Sequence, residues 1–404
     1  MSGLPGFASR LSGLPAAATI EMARRARALA AQGHDVISLA LGEPDFASPD
    51  IAVEAAYEAA RAGQTKYPPV DGTPVLKKAV ADKFRRENRL EYAQDEIIVC
   101  NGGKQVIFNA FMATVDPGDE VVVPAPYWVS YPLIARMFGG VPVYAACREE
   151  DGFRLTAAAL EAVLTERSVW LVLNFPNNPT GAVCSEEDYH AIAAVVRRFP
   201  KLRILSDEIY EHLTFDGKKH VSFAAVVPDL KYRILTLNGM AKAYAMTGWR
   251  VGFAGGHRDL ITAMRAVQSN ATSGICTLAQ AGAAAALNAD LAESVLEMRE
   301  TYARRRSLVA DALRRLPGVS CALPDGAFYV YPGIAGCLGK TSAGGRRLES
   351  DRDFAFALLE EAHVATVPGE AFGLSPYLRL SCATSDEMLR EACARIGRFV
   401  SGLS

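Results

Sequence analysis

Seven short apolar segments recur along the middle of this chain: Glu96 to Cys100, Glu120 to Pro124, Val141 to Cys147, Ser168 to Asn174, Arg203 to Asp207, Arg233 to Leu237 and Val251 to Ala254. Helical patterns lie between most of them, so the strands cannot all pair as hairpins and are expected to form a mainly parallel seven-stranded sheet covered by helices on both faces. The last segment closely follows Gly248 and is the one expected to run antiparallel. Gly72-Thr73-Pro74 opens a helix with an N-cap and a proline in the first turn, and the pattern continues through Lys83 and Arg86. A long charged helix from about Asp290 to Leu316 leads out of the region. Beyond it, Val319 to Pro332 and Tyr377 to Cys382 read as strands, and Asp351 to Glu361 and Ser385 to Ser401 as helices, an α+β pattern. At 404 residues the chain exceeds one ordinary core, and two domains follow.

Composition removes several function classes. With 22% charged residues and a net charge of -2, the chain carries no basic footprint for nucleic acid or anionic membrane. Met1 to Ala17 lacks a basic end followed by an apolar core, and no apolar run approaches the roughly 20 residues of a membrane span. The eight cysteines are scattered without a Cys-x-x-Cys pair, which fits packed thiols in a cytoplasmic protein. The six histidines show no metal-ligand spacing, and no metal is expected. Gly336 to Arg347 reads as an exposed loop; its Gly339-Lys340-Thr341 is a near miss to a phosphate loop, with Ile334 where the motif needs glycine. No Gly-x-Gly-x-x-Gly follows a strand, which argues against a dinucleotide enzyme.

Three polar clusters carry the chemistry. Lys242 lies between Ala241 and Ala243, where little local competition for water favours a neutral, nucleophilic amine, and Arg250 follows in Gly248-Trp249-Arg250 with a fork that suits a phosphate. Taken alone, that stretch also reads as a surface lysine and a turn. The strand Arg203 to Asp207 ends in an acid, with the phenol of Tyr210 three residues later. Another strand runs through Asn174 into Asn177-Asn178-Pro179-Thr180-Gly181. In an open parallel sheet the ligand lies beyond the carboxyl ends of the strands, where both clusters fall.

Asn-Pro-Thr-Gly, Ser206-Asp207-Glu208-Ile209-Tyr210 and Lys242 followed by Gly-Trp-Arg, in this order, resemble the class I aminotransferases of the fold type I pyridoxal phosphate enzymes. The likeness extends from Gly42-Glu43-Pro44-Asp45-Phe46 to Tyr377-Leu378-Arg379-Leu380-Ser381. It implies pyridoxal 5'-phosphate as cofactor, residues 48–299 as the large cofactor-binding domain, 300–404 as the small domain and 1–47 as a segment joining the small one. By the same resemblance, Lys242 carries the cofactor aldehyde and moves the substrate proton, and Asp207 pairs with the pyridine nitrogen. Tyr210 and Asn178 bond the ring phenolate, and Trp128 stacks on the ring. Arg250 holds the phosphate with Asn101-Gly102-Gly103-Lys104-Gln105, a strand-to-helix turn where free amides favour an anion. A phosphate-binding hydroxyl common three residues before the lysine is replaced by Gly239, and Tyr67 resembles a tyrosine that reaches the neighbouring subunit's phosphate, which implies a homodimer. Arg379 takes the substrate α-carboxylate, and Gly42, after an expected strand Asp35 to Leu41, gives a backbone donor or close approach. On residue type alone, Asn178 also suits an Asn-Pro turn, Asp207 a helix N-cap, Trp128 core packing and Arg379 a strand edge.

Gly102-Gly103-Lys104-Gln105, Ala125 to Pro132 and Ser375 to Thr384 are similar to the bacterial aspartate and prephenate aminotransferase subgroup, which makes Lys104 the candidate for the substrate's distal carboxylate. Two departures stand against it: Leu14-Pro15-Ala16-Ala17-Ala18-Thr19 lacks the lysine of Lys-Pro-Ser-x-Thr, and Gln268-Ser269-Asn270-Ala271-Thr272 differs from the usual glutamine-rich stretch. Aspartate therefore comes first as amino donor and a 2-oxo acid such as 2-oxoglutarate as acceptor, by a ping-pong mechanism. Aromatic, prephenate or neutral amino acids are the rival substrates, a lyase of the same fold is the second class, and a ligand-sensing regulator ranks last.

Overall fold

The computed structural model describes residues 8–11 and 18–404. Helices α1 (Ala18–Ala31), α2 (Asp50–Arg61) and α3 (Pro74–Asn88), with the short strand β1 (Ile37–Ser38), precede the main sheet. That sheet contains β2 (Ile97–Asn101), β3 (Glu120–Ala125), β4 (Val141–Ala146), β5 (Ser168–Asn174), β6 (Arg203–Asp207), β7 (Ile234–Gly239) and β8 (Val251–Gly255). Between them lie α4 (Gly103–Thr114), α5 (Ser130–Met137), α6 (Ala157–Glu161), α7 (Glu186–Val196) and α8 (Phe223–Val226). Then come α9 (Arg258–Ala271), α10 (Thr277–Asn288) and the 23-residue α11 (Ala292–Arg314). The remainder is β9 (Tyr329–Val330), α12 (Asp351–Ala362), β10 (Val364–Ala365), β11 (Val367–Pro368), β12 (Leu378–Ser381) and α13 (Asp386–Ser401).

The main sheet has the order β2-β8-β7-β6-β5-β3-β4. Four neighbouring pairs are parallel, and β8 alone runs against its neighbours β2 and β7. The period of two puts Trp170 and Val172 of β5 into one buried layer with Leu205 and Leu235, and Leu171 and Leu173 into the other with Ile204. Burial of each such side chain contributes roughly 1.5 to 3 kcal/mol, which is why the strands read as continuous apolar runs. Thr73 caps α3, accepting from the Leu76 amide, with Pro74 in the first turn.

Three expected elements differ. Of Val319 to Pro332 only Tyr329–Val330 is a strand, the rest being held by isolated bridges such as Ser320 to Gly333. Asp35 to Leu41 shrinks to Ile37–Ser38, because its extended backbone is stitched to two different strands: Leu39 donates to Ala365 and accepts from Ser381. The loop Gly336 to Arg347 is pinned rather than wholly exposed, since Cys337 and Ser342 are buried and the Ser342 hydroxyl donates to Glu361. In the antiparallel sheet β11-β12-β9, Ser381 faces Tyr329 and Val367 faces Arg379.

Candidate active site

Strand direction brings the polar clusters together. The segments after β3, β5, β6 and β7 leave one edge of the sheet, carrying Trp128, Asn178, Asp207 with Tyr210, and Lys242. Arg250 immediately precedes the reversed β8, so it reaches the same edge, beside the turn between β2 and α4. These residues line a cavity of about 490 Å³ with Gly42, Gly103, Lys104 and Arg379. Tyr67 is absent from that lining and is 94% exposed. The Leu14 to Ala17 part of the lysine-lacking stretch lies outside the described residues.

Asp207 is buried, and burial pushes its carboxyl up to about 6, against the pull of hydrogen bonds from the Tyr131 hydroxyl and the Ile209 amide. Those bonds measure 2.7 and 3.3 Å. Asp207 therefore caps a turn at the end of β6, and no helix starts there for it to cap as the N-cap reading required. Burial likewise brings Lys242 down to about 8, helped by the Arg379 cation, and its Nζ donates to the Gly42 carbonyl at 2.5 Å. Tyr210, also buried, places its hydroxyl 2.8 Å from that of Tyr329.

Arg379 is 3% exposed, not a surface arginine. It donates to Asn178 Oδ1 at 3.1 Å and to the Ala40 carbonyl at 2.6 Å, while its Nε has no partner. The Asn178 amide nitrogen of the backbone is held by Asn174 Oδ1, whose own side-chain nitrogen donates to the Asp207 carbonyl. Lys104 Nζ sits 5.0 Å from the Trp128 ring centre, and its pKa is lowered by burial and then by Arg250.

The turn beside Arg250 is shaped by absent side chains. A Cβ on Gly102, whose φ is +82°, would lie 2.4 Å from Arg250 Nη2, and one on Gly252 would lie 2.4 Å from Gly103 N. The guanidinium can thus fold over the N-terminus of α4, an anion-binding arrangement. Gly239 has its own constraint: a Cβ there would come 2.9 Å from the Val251 carbonyl, so the hydroxyl-bearing residue missing at this position has no room.

Behind the site lies a buried network. Glu211 accepts from Lys83, from Asn88 and, at 2.7 Å, from Asn238, just ahead of the Lys242 loop. Glu208 accepts from Ser206 and Ser222 at 2.8 Å each, and contacts His220. Glu208, Glu211 and His220 come close enough to surround one ion, but the Lys83 ammonium already bonds Glu211. The network fixes the two loops carrying Asp207 and Lys242. Gln268 is equally structural, donating to the Val70 and Val99 carbonyls.

Sequence reasoning missed Tyr131 and Tyr329. Tyr131 had a signal, since it stands three residues past Trp128 at the start of a helix, and the two rings meet edge to face. Tyr329 had none of its own; only the bare Gly42, where a Cβ would fall 2.2 Å from the Tyr329 hydroxyl oxygen, hints at an intruding group.

The fold and this set of groups define an α/β protein with a cation-rich ligand cavity at the carboxyl ends of its parallel strands. The model of the family described as aminotransferase class I and II matches residues 34–396. The chain is 52% identical over 386 residues to an aspartate/prephenate aminotransferase of Cereibacter sphaeroides, covering 96% of each. It is 49% identical over 397 residues to an aspartate aminotransferase of Rhizobium meliloti, covering 98% of this chain and 97% of the other. The Rhizobium meliloti aspartate aminotransferase crystal structure superposes with a TM-score of 0.96, at 49% identity, over 99% of this chain and 100% of that one. An aspartate aminotransferase of Thermus thermophilus with maleate gives 0.91, at 42% identity, over 98% and 100%. The chain belongs to the class I and II aminotransferases.

It is a pyridoxal-phosphate enzyme that moves an amino group from an amino acid to a 2-oxo acid. The residues present fit that cofactor. Asp207 is a buried acid with no basic side chain bonded to it among the described residues, as a protonated ring nitrogen requires. The glycine-lined cradle under Arg250 fits a phosphate, and Lys242 is an amine brought down to about 8 beside Asp207. Among the described residues no helix is long and apolar enough to cross a membrane.

Proposed function

We propose that this chain is an aspartate aminotransferase working by a ping-pong mechanism with a 2-oxo acid such as 2-oxoglutarate as acceptor. The observation that carries the reading is a pair of cations, Arg379 and Lys104, lining the same cavity as Lys242, one for each carboxylate of a dicarboxylic substrate. The aspartate aminotransferases of Rhizobium meliloti and Thermus thermophilus support it.

Pyridoxal phosphate, when bound, supplies an electron sink for charge developing at the substrate Cα. Lys242 takes the Cα proton at Nζ and returns it, a task suited to an amine with a pKa of about 8. Asp207 would hold the ring-nitrogen proton, and Trp128 would pack against the ring. Tyr210 would donate to the ring hydroxyl oxygen, and Asn178 would do so through Nδ2, its Oδ1 being taken by Arg379. Gly103, Lys104 at the start of α4, and Arg250 would hold the phosphate, with Lys104 also available to the distal carboxylate. Arg379 orients the α-carboxylate while Gly42 keeps the approach clear.

The same reading makes the protein a cytoplasmic homodimer in which Tyr67 of a second copy completes the phosphate site. Ile51, Val53, Tyr57 and Tyr67, all large apolar side chains left exposed, support a covered face. Residues 48–299 then form the large domain and 300–404 with 1–47 the small one, a division supported by the pairing of β1 with β10.

A panel of amino donors, including aspartate, phenylalanine and alanine, tested with 2-oxoglutarate, oxaloacetate and prephenate, tests the assignment. Aspartate should give the highest kcat/KM, with the cofactor left in its amine form when no acceptor is present. Preference for an aromatic donor would move the substrate assignment, and ammonia release without acceptor would make the chain a lyase. Borohydride reduction and peptide mapping should label Lys242, and Lys242→Ala should abolish turnover while still holding cofactor; a label on another lysine overturns its role. Sedimentation of the native chain checks the dimer.

A further inference from the structure

Tyr329, on β9, lines the same cavity and touches three groups of the site. Its hydroxyl lies 2.8 Å from that of Tyr210. The Arg379 guanidinium sits 4.6 Å over its ring, and the two residues are on adjacent antiparallel strands, β9 and β12. Its hydroxyl also fills the space a side chain at Gly42 would need, and the Gly42 carbonyl accepts from Lys242. The residue is 1% exposed, so no water competes freely for its proton.

A phenol has one proton to give. If Tyr210 donates to the cofactor's ring hydroxyl oxygen, its own oxygen is left to accept, and among the described residues the only side chain bonded to it is Tyr329. A cation over an aromatic face draws electron density from the ring and makes its hydroxyl the better donor, which favours Tyr329 as the donor of the pair. Chained donors polarise one another, so the outer bond strengthens the inner one.

We infer that Tyr329 is a positioning residue that donates to Tyr210 and links carboxylate binding at Arg379 to the strength of the Tyr210 bond to the cofactor. A carboxylate on Arg379 neutralises the cation over the Tyr329 ring, weakens it as a donor and loosens the Tyr210 bond. The inference rests on the pyridoxal phosphate reading of the site proposed above.

The test is a pH titration of the visible absorbance of the bound cofactor in the holoenzyme, with and without maleate, for native protein, Tyr329→Phe, Tyr210→Phe and the double variant. Stabilising the ring oxyanion lowers the proton affinity of the nitrogen linked to Lys242. Tyr329→Phe should therefore raise the apparent pKa by roughly 0.3 to 1 unit. Tyr210→Phe should raise it further, and the double variant should match Tyr210→Phe alone, because Tyr329 acts only through Tyr210. The shift caused by maleate should shrink in Tyr329→Phe. An unchanged pKa in Tyr329→Phe, or additive shifts in the double variant, overturns the inference while leaving the site assignment standing. Absence of any titrating visible absorbance in the native protein would instead remove the reading on which it rests.

Discussion

The Tyr131 hydroxyl donates to Asp207 Oδ2 at 2.7 Å, so the acid at the end of β6 is oriented by a helix that follows β3, two strands away in the sheet. That bond favours the ionised carboxylate in surroundings that otherwise oppose it.

Tyr131→Phe should therefore raise the Asp207 pKa further above 6, by about one unit. If the carboxylate is the form that holds the cofactor ring, the acid limb of cofactor affinity should move to higher pH by the same amount. Fluorescence titration of the apoprotein with pyridoxal phosphate across the acid range measures it. An acid limb identical to that of the native protein would show that Tyr131 is only a packing residue.

How much of this was legible beforehand follows from which forces are local. Apart from the largely exposed edge strand β4, the strands of the main sheet were readable because both of their faces are buried, as with Trp170 and Leu171, leaving no ambiguity of period. Asp207, Lys242 and Arg250 could be picked out because each stands where a strand of the main sheet ends or begins. The extent of the short strands β1 and β9 could not be read, since two paired residues each leave too little pattern and their pairing is set by distant segments, Val364 and Ser381. Tyr329 was hidden for the same reason: its hydroxyl meets a residue 119 positions away.

Asp207→Asn tests the cost of burying that charge. Its folded pKa of about 6 exceeds the ordinary value of 3.8, so between these the folded chain binds the extra proton and stability falls as pH rises. The cofactor-free Asp207→Asn protein should accordingly be more stable than native apoprotein above about pH 6, by roughly 1 to 3 kcal/mol, and the gain should vanish below about pH 4. Urea unfolding at the two pH values decides it. Turnover in the loaded variant should meanwhile fall by orders of magnitude, because the ring nitrogen loses its acid partner.

The Lys83 and Glu211 pair gives the opposite sign. Burial raises the Glu211 carboxyl, but Lys83 followed by His212 and His220 outweighs it and holds the group at about 2, below the ordinary 4.5. Its stabilisation is present above about pH 4.5 and is lost as pH falls through the folded pKa. Lys83→Met should destabilise the fold by about 3 to 5 kcal/mol near neutrality, since it leaves a buried carboxylate unpaired. Adding Glu211→Gln should recover much of that loss. Equal stability of the single and double variants in chemical denaturation would mean that the unpaired carboxylate is not what destabilises the single variant.

Lys104→Met separates a substrate contact from a cofactor contact. Lys104 lines the cavity with Arg379, and burial together with the nearby Arg250 lowers its pKa, so a second negative group from a substrate is electrostatically welcome there. If its partner is the distal carboxylate, the substitution should lower kcat/KM for aspartate and glutamate by about 1.5 to 3 kcal/mol, the range of a hydrogen bond to a charged group, and leave an aromatic donor nearly unchanged. If the phosphate is its main partner, every donor should suffer alike and the affinity for pyridoxal phosphate should drop with them. Steady-state kinetics across donors, paired with cofactor titration, distinguishes the two. A variant as fast with aspartate as the native enzyme would remove Lys104 from both roles and leave the distal carboxylate to another cation at the cavity mouth.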